Sequence, residues 1–313
     1  MASGAQHVAV AGEGLTTTKA PFIENAVQNG EMYIVQPYEL YSPANHDVWQ
    51  RLYARMREHW IRYANSRFLD GLDALSIDAT RVPRLEDVNR FMAPRTGFNA
   101  RAVSGFVPAF QFFDCLSRRE FPTTITIRDG SSLDYLPEPD IFHDIAGHVP
   151  MHTDPAFAET LVRFGRCAHT AAELVHDVKD EAEQLRRLAS IQNALQRFFW
   201  FTVEFGLMRG AKPGEIKAYG SGLLSSHGEL AHSIESPVVQ RYALQMEWVV
   251  NQHFEIDHFQ PLLFIVEDFD HLFSLIDELE RWMLAGRLDN VTPGWRALSD
   301  NDVQSFLEAS RAR

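Results

Sequence analysis

Two histidines and a glutamate carry the first chemical signal in this sequence. His143 and His148 stand in the segment Asp140-Ile141-Phe142-His143-Asp144-Ile145-Ala146-Gly147-His148-Val149-Pro150. On a regular α-helix a separation of five residues leaves roughly 140° between side chains, too far for one face. Gly147 lets a helix unwind and Pro150 removes a backbone donor. The expectation is a helix from about Ile141 to Gly147 whose unwound end swings His148 round beside His143. Imidazole ligates iron, zinc and copper, so a third ligand must decide the metal. Glu204 lies in the apolar run Phe199-Trp200-Phe201-Thr202-Val203-Glu204-Phe205-Gly206. A charge there is costly unless it is paired or bound to a cation. Two His and one carboxylate on one side of a metal make the facial triad of iron(II) oxygenases, which leaves positions open for water, O₂ or substrate. Each piece also has a plainer reading: two core histidines, and a glutamate paired with an arginine. His₂Glu binds catalytic zinc as well. The helical zinc-protease signal is His-Glu-x-x-His, however, and His-Asp at a longer spacing ranks below iron.

The elements that must hold these groups are mostly helical. Val48, Leu52, Met56 and Trp60 recur at helical spacing, with Asp47 placed to cap the start. Further helices are predicted over Leu85–Phe91, from Pro155 through His169, from about Asp180 to Met208, after Pro237, and from Phe269 to Leu284. Residues 94–140 are punctuated by Gly and Pro, and within them Thr123-Thr124-Ile125-Thr126-Ile127 reads as a strand. Residues 1–30 have no clear period and read as a flexible N-terminal tail. The rest, 31–313, reads as one catalytic domain. The fold class is therefore mainly α, a single helical domain with a small β-sheet.

Composition excludes several function classes. The chain has 313 residues, with 42 Asp+Glu against 29 Lys+Arg. That balance argues against nucleic acid and against anionic membrane surfaces. Two scattered cysteines, Cys115 and Cys167, make no disulfide framework. No basic region followed by an apolar run opens the sequence, and no apolar stretch is long enough for a bilayer. A cytoplasmic protein is expected.

Three segments together resemble the pterin-dependent aromatic amino acid hydroxylases: Glu138 to Pro150, Trp200 to Leu207, and Lys217-Ala218-Tyr219-Gly220-Ser221-Gly222-Leu223-Leu224-Ser225-Ser226. Trp60, Thr96-Gly97-Phe98 and Phe259-Gln260-Pro261-Leu262 follow in the same order, so the likeness covers roughly residues 40–290. Asp134-Tyr135-Leu136 and His-Asp at 143–144 are most like the bacterial phenylalanine hydroxylases. The resemblance implies iron(II), a reduced tetrahydropterin and O₂. It implies His143, His148 and Glu204 as iron ligands, Phe112 as the surface on which the pterin stacks, and Gly105, Phe106 and Val107 as its backbone partners. Asp144 would contact the pterin through water. Arg128 would hold the substrate carboxylate, helped by Ser225, with Trp200 and Pro139 walling the aromatic pocket. A planar guanidinium fork suits a carboxylate, and an aromatic face suits a flat heterocycle. With the animal family's tetramerisation helix not found, a monomer or a dimer is expected, partnered with small molecules.

The substrate follows from fewer residues. Trp200 is what phenylalanine and tyrosine enzymes of the family carry, and Ile265 falls where tyrosine enzymes place Asp. L-phenylalanine, hydroxylated at the para position to L-tyrosine, is the expected reaction. Ala146, where bacterial members carry a bulky residue, and Phe199, where animal members have Tyr, raise two alternatives. These are meta-hydroxylation of phenylalanine and hydroxylation of tryptophan. From a different class, a catalytically silent relative that binds an amino acid or a partner is the remaining reading.

Overall fold

The protein is described by a computed structural model over residues 14–16, 21–131, 133 and 139–294. Asp134, Tyr135, Leu136 and Glu138, which contribute to the resemblance, lie outside the described residues. Helix α1 is Pro21–Gln28, and its Ile23 is buried. Leu15 is buried too, and its carbonyl accepts the Ile127 N–H at 2.8 Å. The expected tail is therefore corrected at residues 21–30, where an apolar helical face finds cover against the domain.

Helix α2, Pro43–Tyr63, is the main buttress. Its start is set by a capping box of Ser42 and Asn45, with Pro43 at the first turn, and not by Asp47. Val48, Trp49, Leu52, Met56 and Trp60 are buried along one face. Trp49 and Trp60 both pack on Phe142, the residue before His143. Trp60 Nε1 also donates to the Leu224 carbonyl at 2.7 Å. Helices α3 (Ser66–Leu75) and α4 (Leu85–Thr96) follow. Strand β1 (Asn99–Ala102), helix α5 (Ala109–Ser117) and strand β2 (Glu120–Thr123) then form a βαβ unit with a parallel two-stranded sheet.

The β-branched run 123–127 is a strand only to Thr123. Beyond it the backbone groups go to other partners. Thr124 N–H donates to Asp144, Ile127 N–H to the Leu15 carbonyl and Arg128 N–H to Asp140, while the Thr126 carbonyl accepts the Ile141 N–H. Tertiary partners thus override local strand propensity.

Past α6 (Val149–His152), two long helices pack side by side, α7 (Pro155–Val175) and α8 (Glu181–Phe199). Each begins at an aspartate N-cap, Asp154 and Asp180. Helix α8 stops at Phe199, and Met208 lies in strand β3 (Leu207–Arg209), so the helix expected to reach Met208 is shorter. After β4 (Ile216–Ala218) come α9 (Ser221–Leu224) and α10 (His227–Glu235). The helix expected after Pro237 is strand β5 (Gln240–Ala243), drawn into the sheet by parallel pairing with a wholly buried strand further along. Arg241 of β5 donates to the Ser233 and Ser236 carbonyls at the end of α10. Helix α11 (Met246–Val249), that buried strand β6 (Leu262–Val266) and α12 (Phe269–Leu284) complete the fold. The second sheet has the order β4-β3-β6-β5, antiparallel only between β3 and β4. The predicted class, mainly helical with little sheet, is what is found.

Helices α3 and α6 approach closely. A Cβ built on Gly71 would stand 2.0 Å from the Pro150 carbonyl oxygen. Gly71→Ala is expected to cost about 1–3 kcal/mol through overpacking, read by denaturant unfolding. An unchanged midpoint would show that the two helices have room to part.

Candidate active site

Two short π-helical segments carry the three candidate ligands. His143–His148 is one, and Trp200–Glu204 is the other. In a π-helix the hydrogen bonds run i→i+5, so residues five apart lie about one turn from each other. This brings His143 and His148 onto one face without unwinding, which corrects the expected frayed end. Helical geometry continues through Pro150 into α6, where the proline occupies a first-turn position. Gly147 serves a different purpose from the one expected. A Cβ there would lie 2.8 Å from the Ser221 carbonyl oxygen, so glycine lets α9 seat against the segment.

The donors converge. His148 Nε2 lies 3.1 Å from His143 Nε2 and 3.1 Å from Glu204 Oε1, and His143 Nε2 lies 3.6 Å from Glu204 Oε2. The other ring nitrogen of His143 meets Ser225 Oγ at 2.8 Å. Burial pushes the His143 imidazole down to about 4, so it is neutral and able to ligate. Burial would raise the Glu204 carboxyl, but His148 and His143 beside it hold it below its usual value. Two imidazole nitrogens and one carboxylate facing a common point fit a facially bound metal. Asp144 is a rival carboxylate grouped with His143 and His148. Its Oδ2, however, accepts the Thr124 N–H at 2.6 Å, and burial pushes its carboxyl up to about 7.

All three candidates open into a cavity of about 460 Å³. Gly105, Phe106, Val107, Phe112, Pro139 and Asp144 also line it. Three aromatic neighbours cross Phe112 at 70°, 76° and 84°, none of them stacked parallel on it.

The sequence matches the family model of the biopterin-dependent aromatic amino acid hydroxylases over residues 25–283. It is 38% identical to the phenylalanine-4-hydroxylase of Caulobacter vibrioides over 239 residues, 76% of each chain. The fold superposes on phenylalanine hydroxylase from Chromobacterium violaceum with bound oxidised Fe(III), at a TM-score of 0.73 and 31% identity, covering 86% of this chain and 92% of that one. A second structure of that enzyme, with iron(III) and 7,8-dihydrobiopterin, matches at 0.71 and 32% identity, covering 86% and 91%. This chain belongs to the biopterin-dependent aromatic amino acid hydroxylases.

The structure places the remaining candidates of this hydroxylase less simply. Arg128 is buried, and its fork already grips Asp140: Nε to Oδ2 at 2.7 Å and one terminal nitrogen to Oδ1 at 3.0 Å. Its other terminal nitrogen reaches the Leu133 carbonyl at 3.4 Å. Asp140 was missed in the sequence, although an Asp directly before an apolar helical run is a capping signal. It accepts the His143 N–H at 2.9 Å and so ties the arginine to the first ligand. Burial pushes the Asp140 carboxyl up, and the Arg128 guanidinium more than reverses this, leaving it below the usual carboxylate range.

Trp200, Ser225 and Arg128 do not line the cavity. Trp200 lies stacked on Phe254 at 4.3 Å and donates through Nε1 to Gln260 Oε1 at 3.0 Å. Gln260 N–H donates to Glu229 at 2.7 Å. Ile265 sits buried in β6 and does not line the cavity. Phe199 packs behind Phe112 at 5.5 Å. Ile23 and Val27 of α1 reach the cavity wall, which a reading of 1–30 as tail could not foresee.

Two measurements check these electrostatics. Asp140→Ala removes the carboxylate that a buried guanidinium grips, so a loss of about 3–5 kcal/mol is expected on chemical unfolding. A loss under a tenth of that would remove the pair from the fold's foundations. Burial pushes the Glu229 carboxyl up to about 7. An unfolded Glu ionises near ~4.3, so between that value and about 7 the folded state keeps a proton that the unfolded state has lost. Stability therefore falls as pH rises through this window. Thermal unfolding of Glu229→Gln against the parent should show a gap that widens in the variant's favour from about pH 4.5 to about pH 8. A constant gap would mean that Glu229 is ionised throughout.

Proposed function

We propose that this hydroxylase converts L-phenylalanine to L-tyrosine with a reduced tetrahydropterin and O₂, at iron(II) held by His143, His148 and Glu204. The observation that carries the reading is the convergence of two imidazoles and one carboxylate at the wall of an apolar cavity. Bound iron(II) supplies the redox chemistry that activates O₂ toward the aromatic ring. The chain's own residues do the rest. Phe112 offers a face for the pterin ring, where stacking contributes about 0.5–1.5 kcal/mol. The backbone of Gly105, Phe106 and Val107 hydrogen-bonds the pterin edge, and Asp144 meets it through water. Ser225 fixes the orientation of His143 through Nδ1, the usual support of a ligating imidazole. Arg128 binds the substrate carboxylate by giving up its long contact to Leu133. Pro139 walls the substrate ring directly, and Trp200 does so from behind, braced by Phe254 and Gln260. Apolar walls hold the ring near the metal and keep water out.

Para-hydroxylation is preferred because Ala146 does not line the cavity, so its small side chain creates no room for the ring to shift. Phenylalanine is preferred over tryptophan on the family resemblance, since Trp200 is what its phenylalanine and tyrosine enzymes carry. We further read the protein as a cytoplasmic monomer. Among the described residues no helix is long and apolar enough to cross a membrane.

The test is anaerobic loading with iron(II), addition of tetrahydropterin, O₂ and each of Phe, Tyr and Trp, and identification of products against standards. Pterin-dependent para-tyrosine from Phe is expected. Meta-tyrosine or a hydroxylated tryptophan as main product overturns the substrate and position. Glu204→Ala is expected to lose iron and activity together; normal turnover by that variant sinks the ligand assignment.

A further inference from the structure

His152 ends α6, four residues after His148, and its side chain is wholly buried. Neither ring nitrogen of His152 has a hydrogen-bond partner among the described residues, and neither does Nδ1 of His148. The two rings lie 5.9 Å apart, centroid to centroid, and tilt by 54°. Phe121 at 4.7 Å and Phe98 at 5.3 Å close the rest of the surroundings with apolar rings.

A neutral imidazole has one donor and one acceptor. Leaving a buried one unmade costs about 1–3 kcal/mol. An apolar side chain of similar volume would fill this space without that cost. Three buried nitrogens without partners on two neighbouring rings can satisfy one another. The contrast with His143 sharpens the point, since its far nitrogen is held by Ser225 Oγ at 2.8 Å. Ligating histidines generally need such a support on the nitrogen away from the metal, to fix tautomer and ring orientation.

We propose that His152 is the positioning residue for His148: a hydrogen bond between the two rings, direct or through one bound water, fixes the proton on His148 Nδ1 so that Nε2 faces the metal. The proposal rests on the ligand reading above. His152 accepts at one nitrogen as a neutral ring. Its remaining N–H lies among the faces and edges of Phe121 and Phe98, where a weak N–H to π contact is available. A water bridging the two rings would have a polar partner on each.

The test uses the full chain, purified without metal, and three variants: His152→Phe, His152→Gln and Glu204→Ala. Affinity for Fe(II) and for Co(II) is measured anaerobically against a chromophoric chelator. The ligand-field absorption of the Co(II) form and the melting temperature of the metal-free form are recorded in parallel. His152→Phe is expected to leave the metal-free melting temperature equal or higher, to weaken metal binding about 10–100-fold, and to shift the Co(II) bands. His152→Gln, which keeps a donor and an acceptor, should recover part of the affinity. Unchanged affinity and spectrum in His152→Phe overturn the proposal and leave His152 as core packing. Equal weakening in both variants with a lowered metal-free melting temperature overturns it as well. Glu204→Ala separates the two readings. If it binds metal like the parent, the ligand assignment fails. If it loses metal while His152→Phe does not, only the role of His152 fails.

Discussion

The hydrogen-bond register of two short helical segments constrains this site more than any single side chain. With i→i+4 bonding, His143 and His148 would project on different faces. With i→i+5 bonding they stand together, and the wide turn at Trp200–Glu204 delivers the carboxylate to the same point. Such turns leave backbone groups poorly paired and are held by what surrounds them. Here Trp49 and Trp60 press on Phe142 from one side, and α9 seats against Gly147 from the other.

Asp140 is the junction between that backbone and the cavity. One carboxylate accepts from Arg128 through the main chain and the guanidinium, and from the N–H of His143. A buried ion pair by itself is weak evidence for stability, because desolvation offsets much of the attraction. Its value here is positional. It fixes where the arginine lies relative to the segment that carries His143, so the two groups proposed for the substrate carboxylate and the metal share one anchor. The loop from Thr124 to Arg128 has the same character. Its backbone bonds go to Asp144, Leu15, Ile141 and Asp140, so it is rigid without belonging to a sheet.

Aromatic packing supplies the remaining order. Phe112 is backed by Phe113, Phe121 and Phe199 at crossing angles that leave no parallel neighbour on it. Phe121 also touches His148 and His152, so the surface proposed for the pterin and the metal ligand rest on common rings. The polar series Trp200, Gln260 and Glu229 links the second π-helical segment to α10 and the chain before β6.

The sequence by itself determined the helical class, the long amphipathic helices and the three residues that converge. Helical periodicity and capping aspartates are local signals, and a carboxylate in an apolar run demands a partner wherever the chain goes. It even placed α12 at its observed ends, because Asp268 caps it and its apolar face is regular. Only the tertiary structure decided the rest. The run 123–127 reads as strand, but its bonds are claimed by side chains and loops distant in sequence. Residues 240–243 become strand because the buried β6 offers an edge to pair with. The widened turns have no sequence signature of their own, since they follow from pressure on both sides of the segment. Asp140 reaches Arg128, and Ile23 the cavity wall, through contacts that no local pattern encodes. Residue types and spacing set which groups are able to do chemistry, and long-range packing sets which of them meet.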